Sequence, residues 1–292
     1  MRSFSFVTLD VFTRQPLAGN QLAVITDASG LTDAEMQSIA REMNLSETTF
    51  VFPREKSIEQ ASGVKVRIFT VTEELPFAGH PTLGTAFALR GSGHAEQIDL
   101  DLRVGKVPVR FCSREGAVFG EMSQRDPEFG AIHDCEKVAS ALGISVDELE
   151  PELPVQTVST GLVFAIVPFR RLSTLRSFVS QWDRAEKYLA NSNAKFFYLV
   201  SRETESPKAR LHARMIFYNG EDPATGSAAG CVTAWMAKYG VIKSEEQVMI
   251  EQGLEAQRPS EIFVRARVQG GTVSNVRVGG YAVEVMRGTL SL

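Results

Sequence analysis

The sequence predicts an α+β protein built as two related lobes. Three observations carry this reading: a length of 292 residues, strand-like and helix-like segments interleaved from one end to the other, and an internal repeat. The length is about twice the ~150 residues that one ordinary hydrophobic core organises. The 43% hydrophobic and 23% charged fractions match ordinary globular usage, which excludes extensive disorder. A net charge of −4 without a block of lysine or arginine argues against a nucleic-acid backbone or an anionic membrane surface as partner. The densest apolar run, residues 161–169, contains Pro168 and is far shorter than the ~20 residues a membrane helix needs. Asp10 interrupts the first apolar segment before a signal-peptide core could form. Three widely spaced cysteines, Cys112, Cys135 and Cys231, read as reduced thiols and point to a cytoplasmic protein.

The elements follow in order. Residues 4–11 are rich in aromatic and β-branched side chains and predict a strand; Pro16 and Gly19-Asn20 punctuate before a second strand at 22–25. Thr32 and Glu35 have capping-box spacing, and Met36, Ile39, Ala40 and Met43 recur on one helical face that Asn44 can end. Strands are expected at 48–52 and 64–70. Pro81 suits the first position of a helix over 81–90, closed near Gly91. A short polar stretch at 124–130, centred on Pro127, reads as the linker between lobes placed at 1–123 and 124–278, with the chain returning to the first near 279–292. In the second half, helices are expected at 133–142, at 172–190 with a break, and at 227–239. Strand material lies at 155–167, 195–200, 210–217, 261–268, 273–278 and 281–287.

The repeat joins EELPFAGHPTLG (73–84) to GEDPATGSAAG (220–230). Glu74 matches Glu221, Pro76 matches Pro223, Gly79 matches Gly226 and His80 matches Ser227, each pair 147 residues apart. Arg67 and Arg214, opening the strand upstream, keep that offset, as do Phe50-Val51 and Phe197-Tyr198. Each copy reads as a strand, a Pro-x-x-Gly turn, and a helix too apolar to have a wet face, hence the central helix of its lobe. Amides at such a helix start favour an anion, and two such starts facing one cleft would suit a carboxylate-bearing small molecule. Either glycine alone could equally serve packing.

Acid–base candidates are few. Glu47, in NLSETTF, has Ala194 at its 147-residue counterpart, so only one lobe would supply this carboxylate. His80 is expected to cap its helix and to carry or accept a proton near neutrality. Asp222 precedes Pro223 and could be only a turn residue, and Ser227 is expected to cap the second helix. There is no C-x-x-C, H-E-x-x-H or G-x-S-x-G, no G-x-G-x-x-G after a strand, and the four histidines are scattered; no metal site is expected.

Taken in order, DVFT-x-x-P-x-x-GN, NLSETTF, ELPFAGHPTLGTA and EDPATGSAAG resemble the phenazine-biosynthesis PhzF-like isomerases, a family that shares its fold with diaminopimelate epimerase. The likeness runs to the closing GGYAVEVMRGTLSL. It implies two lobes, each a curved β-sheet or partial barrel around a central helix, an active site between them, no cofactor, and a homodimer. Carried over by position, it makes Glu47 the proton-transferring carboxylate, with His80 and Asp222 as further catalytic residues. Gly79, Gly226, Ser227 and Asn20 become substrate-binding. The implied activity is cofactor-independent movement of a proton within a small cyclic carboxylate bearing amino or hydroxy groups. Gly79 and Asp222 stand where related epimerases keep a pair of cysteines, so two-thiol racemisation is unavailable. The chain departs from the family pattern at Gln21 and Val71, where proline is common, and in a shorter approach at 217–220. A Glu-based epimerase or racemase, a hydrolase using Ser227 with His80, and a non-catalytic binding or scaffold protein remain as alternatives.

Overall fold

The fold was derived from a computed structural model that describes residues 1–217 and 220–292. Contacts divide the chain into two units, Met1–Ser123 with Gly279–Leu292, and Gln124–Val278. In the first, β1 (Ser3–Val11) pairs antiparallel with β2 (Asn20–Ile25) on one edge and with the strand Ala282–Ser291 on the other. Helix α1 (Asp33–Met43) opens on the Thr32–Glu35 capping box and ends on Asn44, which takes the left-handed conformation at φ 51°. It returns the chain to β3 (Glu47–Phe52), parallel to β2. A short helix, α2 (Lys56–Ser62), buries no residue and so carries no apolar period that a sequence reading could find. Then β4 (Val64–Phe69) runs antiparallel to β3, and β5 (Glu74–Leu75) folds back on β4. Helix α3 (Gly79–Arg90) crosses to β6 (Gln97–Leu102), which lies parallel to β4 and opens a meander through β7 (Gly105–Arg114) and β8 (Ala117–Ser123). The helix touches β1, β2, β3, β6 and β8, so the sheet curls around it. That wrapping explains why α3 has no polar stripe: its first eight residues are all buried. Its close approach runs through Gly84, where a Cβ would stand 2.6 Å from Leu22 and 2.7 Å from Val11.

The second unit repeats the plan. It comprises β9 (Glu128–Ile132), α4 (Cys135–Leu142), β10 (Gln156–Ser159), β11 (Val163–Phe169), α5 (Leu172–Ser177), α6 (Trp182–Ala190) and β12 (Phe196–Ser201). It continues through β13 (Ala209–Phe217), β14 (Gly220–Asp222), α7 (Gly226–Lys238), β15 (Val248–Gln252), β16 (Ser260–Gln269) and β17 (Thr272–Gly280). From β10 to β16 the pairings run antiparallel, parallel, antiparallel, parallel, antiparallel, as they do from β1 to β7, with β14 folded on β13 as β5 is on β4. Twelve residues of α7 are buried, again leaving no wet face. Both units are therefore α+β, each a curved sheet around one central apolar helix.

The repeat holds to the residue at the turn: Ile68 pairs with Leu75 as Met215 pairs with Asp222, and Phe69 with Glu74 as Ile216 with Glu221. One strand earlier it slips. Phe50 pairs with Arg67, but Leu199 pairs with Arg214, so the offset there is two residues larger. The counterpart of Phe50 is thus Leu199, not Phe197, and that of Glu47 is Phe196, not Ala194. The connection carrying α2 makes this part of the first unit the longer.

Two further expectations are corrected. Residues 124–130 are not a loose linker: β9 begins within them, and Gln124 accepts from Thr160 Oγ1 at 2.6 Å and donates to the Gly226 carbonyl at 2.9 Å. The helix expected from residue 133 starts at Cys135, because Asp134 caps it by accepting from the Glu136 and Lys137 amides. His133 instead bonds to Tyr188 and Thr157. The break expected within 172–190 is found, between α5 and α6. Among the described residues no helix is long and apolar enough to cross a membrane.

Candidate active site

In the first unit three of the expected residues meet at the start of α3. That helix opens at Gly79, two residues before the expected Pro81 start, and Pro81 still falls in the first turn, where a missing N–H is tolerated. Ala78 holds the capping position and makes no side-chain cap. His80 is therefore not the cap; its ring is directed into the unit and is only 3% exposed. Its Nδ1 lies 3.1 Å from Asn20 Nδ2, and its Nε2 lies 3.4 Å from Glu47 Oε2. Glu47 arrives there because Asn44 ends α1 and β3 starts at once beside Leu22. Burial pushes the His80 imidazole down to about 3, outweighing a backbone hydrogen bond with Gln21. The ring is therefore neutral throughout the working range, with one nitrogen protonated and one not. A neutral imidazole facing a carboxyl can donate a hydrogen bond to its ionised form or accept one from its protonated form.

In the second unit Asp222 ends β14 and Thr225 holds the capping position of α7. The Thr225 hydroxyl makes no cap because it donates to Asp222 Oδ2 at 2.6 Å. Ser227, the expected cap, is the second residue of the helix and is buried. As at α3, the residue in the capping position makes no side-chain cap. Sequence reasoning missed Gln252 and Tyr198, which bond into this loop. Their only signal is a glutamine closing an apolar strand, and a tyrosine inside one. Residues 218 and 219, within the approach read as short, lie outside the described residues.

Both turns are aimed by the same device. Arg67 grips Glu74 through Nε and Nη2 at 2.8 and 2.7 Å, and Arg214 grips Glu221 at 2.8 and 2.7 Å. Each fork ties a two- or three-residue strand to the long strand beside it, so the Pro-x-x-Gly turn leaves in a fixed direction.

Curved sheets wrapped on a central helix that opens on a glycine turn define an epimerase-like α+β fold. A hydroxyproline epimerase from Agrobacterium vitis, solved with bound trans-4-OH-L-proline, shares this fold at TM-score 0.67, covering 99% of this chain and 91% of that one at 12% identity. The chain belongs to the phenazine biosynthesis-like protein family, whose model matches residues 9–288. The PhzF-family protein of Bacillus anthracis is similar in structure at TM-score 0.89 and 28% identity, with 100% of both chains covered. The trans-2,3-dihydro-3-hydroxyanthranilate isomerase of Pseudomonas chlororaphis is 35% identical over 98% of this chain and 99% of its own. Family and relatives make the protein an isomerase.

Proposed function

We propose that the protein moves a proton between carbons of a small cyclic carboxylate of the dihydro-hydroxyanthranilate type, with Glu47 as the acid–base group. The observation that carries this is Glu47 Oε2 standing 3.4 Å from Nε2 of a buried, neutral His80. Glu47 takes a proton from the carbon beside an activating group and returns it elsewhere on the same conjugated system. His80 accepts from the protonated carboxyl or donates to the ionised one, which supports both halves of the shuttle. Within each unit the central helix starts without a cap from its capping side chain, and such a start suits an anionic group; Ser227 is proposed as a substrate-binding residue at the start of α7. Asp222 belongs to the same proposal as a group serving that substrate.

The test is turnover of trans-2,3-dihydro-3-hydroxyanthranilate. Glu47→Gln keeps the shape and removes the base, so kcat should fall by ~10²–10⁴ with KM little changed. Native turnover in that variant would refute the role of Glu47. A homodimer is part of the same reading. Sedimentation equilibrium should give twice the 32.1 kDa of one chain, and a single-chain mass would exclude it.

A further inference from the structure

A directional chain of hydrogen bonds ends on Asp222. Gln252 is fully buried at the end of β15, and its amide uses all four of its hydrogen-bonding positions. Its Nε2 donates to the Asp222 carbonyl at 2.8 Å and to Thr225 Oγ1 at 2.9 Å. Its Oε1 accepts from the Thr225 amide at 3.1 Å and from the Tyr198 hydroxyl at 2.9 Å. The backbone partners fix the orientation, since a flipped amide would set N–H against N–H and C=O against C=O. Having accepted from Gln252, the Thr225 hydroxyl gives its own proton to Asp222 Oδ2. Donors thus run one way, from Tyr198 through Gln252 and Thr225 to Asp222.

The repeat shows that the fold does not require this chain. By register, the counterparts of Tyr198, Asp222, Thr225 and Gln252 in the first unit are Thr49, Leu75, Ala78 and Leu102. Thr49 bonds elsewhere, to Thr85 at 2.8 Å, and the other three are buried apolar residues. The first unit thus closes the same turn with apolar side chains, while the second maintains a buried polar network that is stabilising only when every member is satisfied. The Arg–Glu fork, which the fold does use, is kept in both.

We infer that Tyr198 and Gln252 are positioning residues for the reaction. Acting through Thr225, they hold Asp222 in place with Oδ2 as the acceptor that ends the chain. The inference rests on the reading that Asp222 serves the substrate.

Tyr198→Phe removes only the first donor and keeps the ring; Gln252→Leu copies the first unit. On trans-2,3-dihydro-3-hydroxyanthranilate each should lower kcat about three- to tenfold, the scale of one or two buried hydrogen bonds, and displace its pH profile with KM near native. A purely structural role would lower the melting temperature and leave the pH profile unmoved. Native kcat and pH profile in folded Tyr198→Phe overturn the inference, even if Gln252→Leu fails to fold. A second readout needs no turnover. The ¹³C carboxyl resonance of Asp222, identified by its loss in Asp222→Asn, should respond to pH differently in Tyr198→Phe and as in the native protein in Thr49→Val. An unaltered response in Tyr198→Phe overturns the relay. Absence of turnover in the native protein would instead count against the proposed function.

Discussion

His80 and His212 are both buried, yet their surroundings leave one neutral and the other positively charged. His80 is held neutral by burial. Burial alone would push His212 down too, but Glu251 Oε1 at 2.9 Å and Glu255 Oε1 at 3.3 Å outweigh it and hold the imidazole up at about 9. The consequences for stability have opposite sign. His212 contributes stability that is complete below the unfolded value of ~6.5 and is lost as pH rises through about 9. His212→Gln should therefore flatten the alkaline fall of melting temperature between those values, while lowering it at pH 6 by stranding Glu251 and Glu255. For His80 the folded value lies below the unfolded one, so acidification from ~6.5 towards 3 favours the unfolded chain. A folded His80→Gln should lose less stability over that interval; thermal melts across pH check both. Glu47 and His80 are legible in the sequence because a motif and a spacing mark them. His212 is not, since nothing local announces that two glutamates about forty residues on will flank it.

At the scale of elements, the Arg–Glu forks differ in depth. The Arg214 side chain is 7% exposed and also donates to the Leu175 and Phe178 carbonyls; Arg67 is 21% exposed. Arg214→Met leaves Glu221 and those carbonyls without their cation and should cost about 3–5 kcal/mol. Arg67→Met should cost clearly less, as denaturant melts of the two variants would show. Gly230 offers a coupled test. A Cβ there would lie 1.8 Å from Gln124 Oε1, so Gly230→Ala must displace the side chain that holds the Gly226 carbonyl. The expected loss is about 1–3 kcal/mol, and much of it should vanish in a Gln124→Ala background. Periodicity finds α1 and the two central helices because their apolar residues recur or run unbroken. It misplaces the first residues of the two central helices, because Ala78 and Thr225 occupy capping positions without capping. It misses α2 altogether, because a helix that buries nothing has no pattern.

Across the whole molecule, the repeat was readable at the two turns, where identical glycines, prolines and the Arg–Glu pair must recur for the chain to fold back. It was unreadable where loop length shifts the register. That is why Glu47 was matched to Ala194 when the strand ladder gives it Phe196. Pairing between distant strands also lay beyond local pattern: β1 takes Ala282–Ser291 as its neighbour, Ser3 facing Ser291. Deleting residues 279–292 strips that edge. Hydrogen exchange should then show β1 amides losing protection while α7 amides keep theirs; intact β1 protection would contradict the expectation.

The same pairing sets a timetable. A ribosome delivers β1 ahead of the whole second unit, but its neighbour Ala282–Ser291 emerges only after that unit. The unit Gln124–Val278 is continuous in sequence and has all of its strands in hand before the first unit does. For most of its synthesis β1 is an open edge bearing buried-type residues such as Val7, Leu9 and Val11, and an available template for another nascent chain. Of the two units, the one begun first is the last that can be finished.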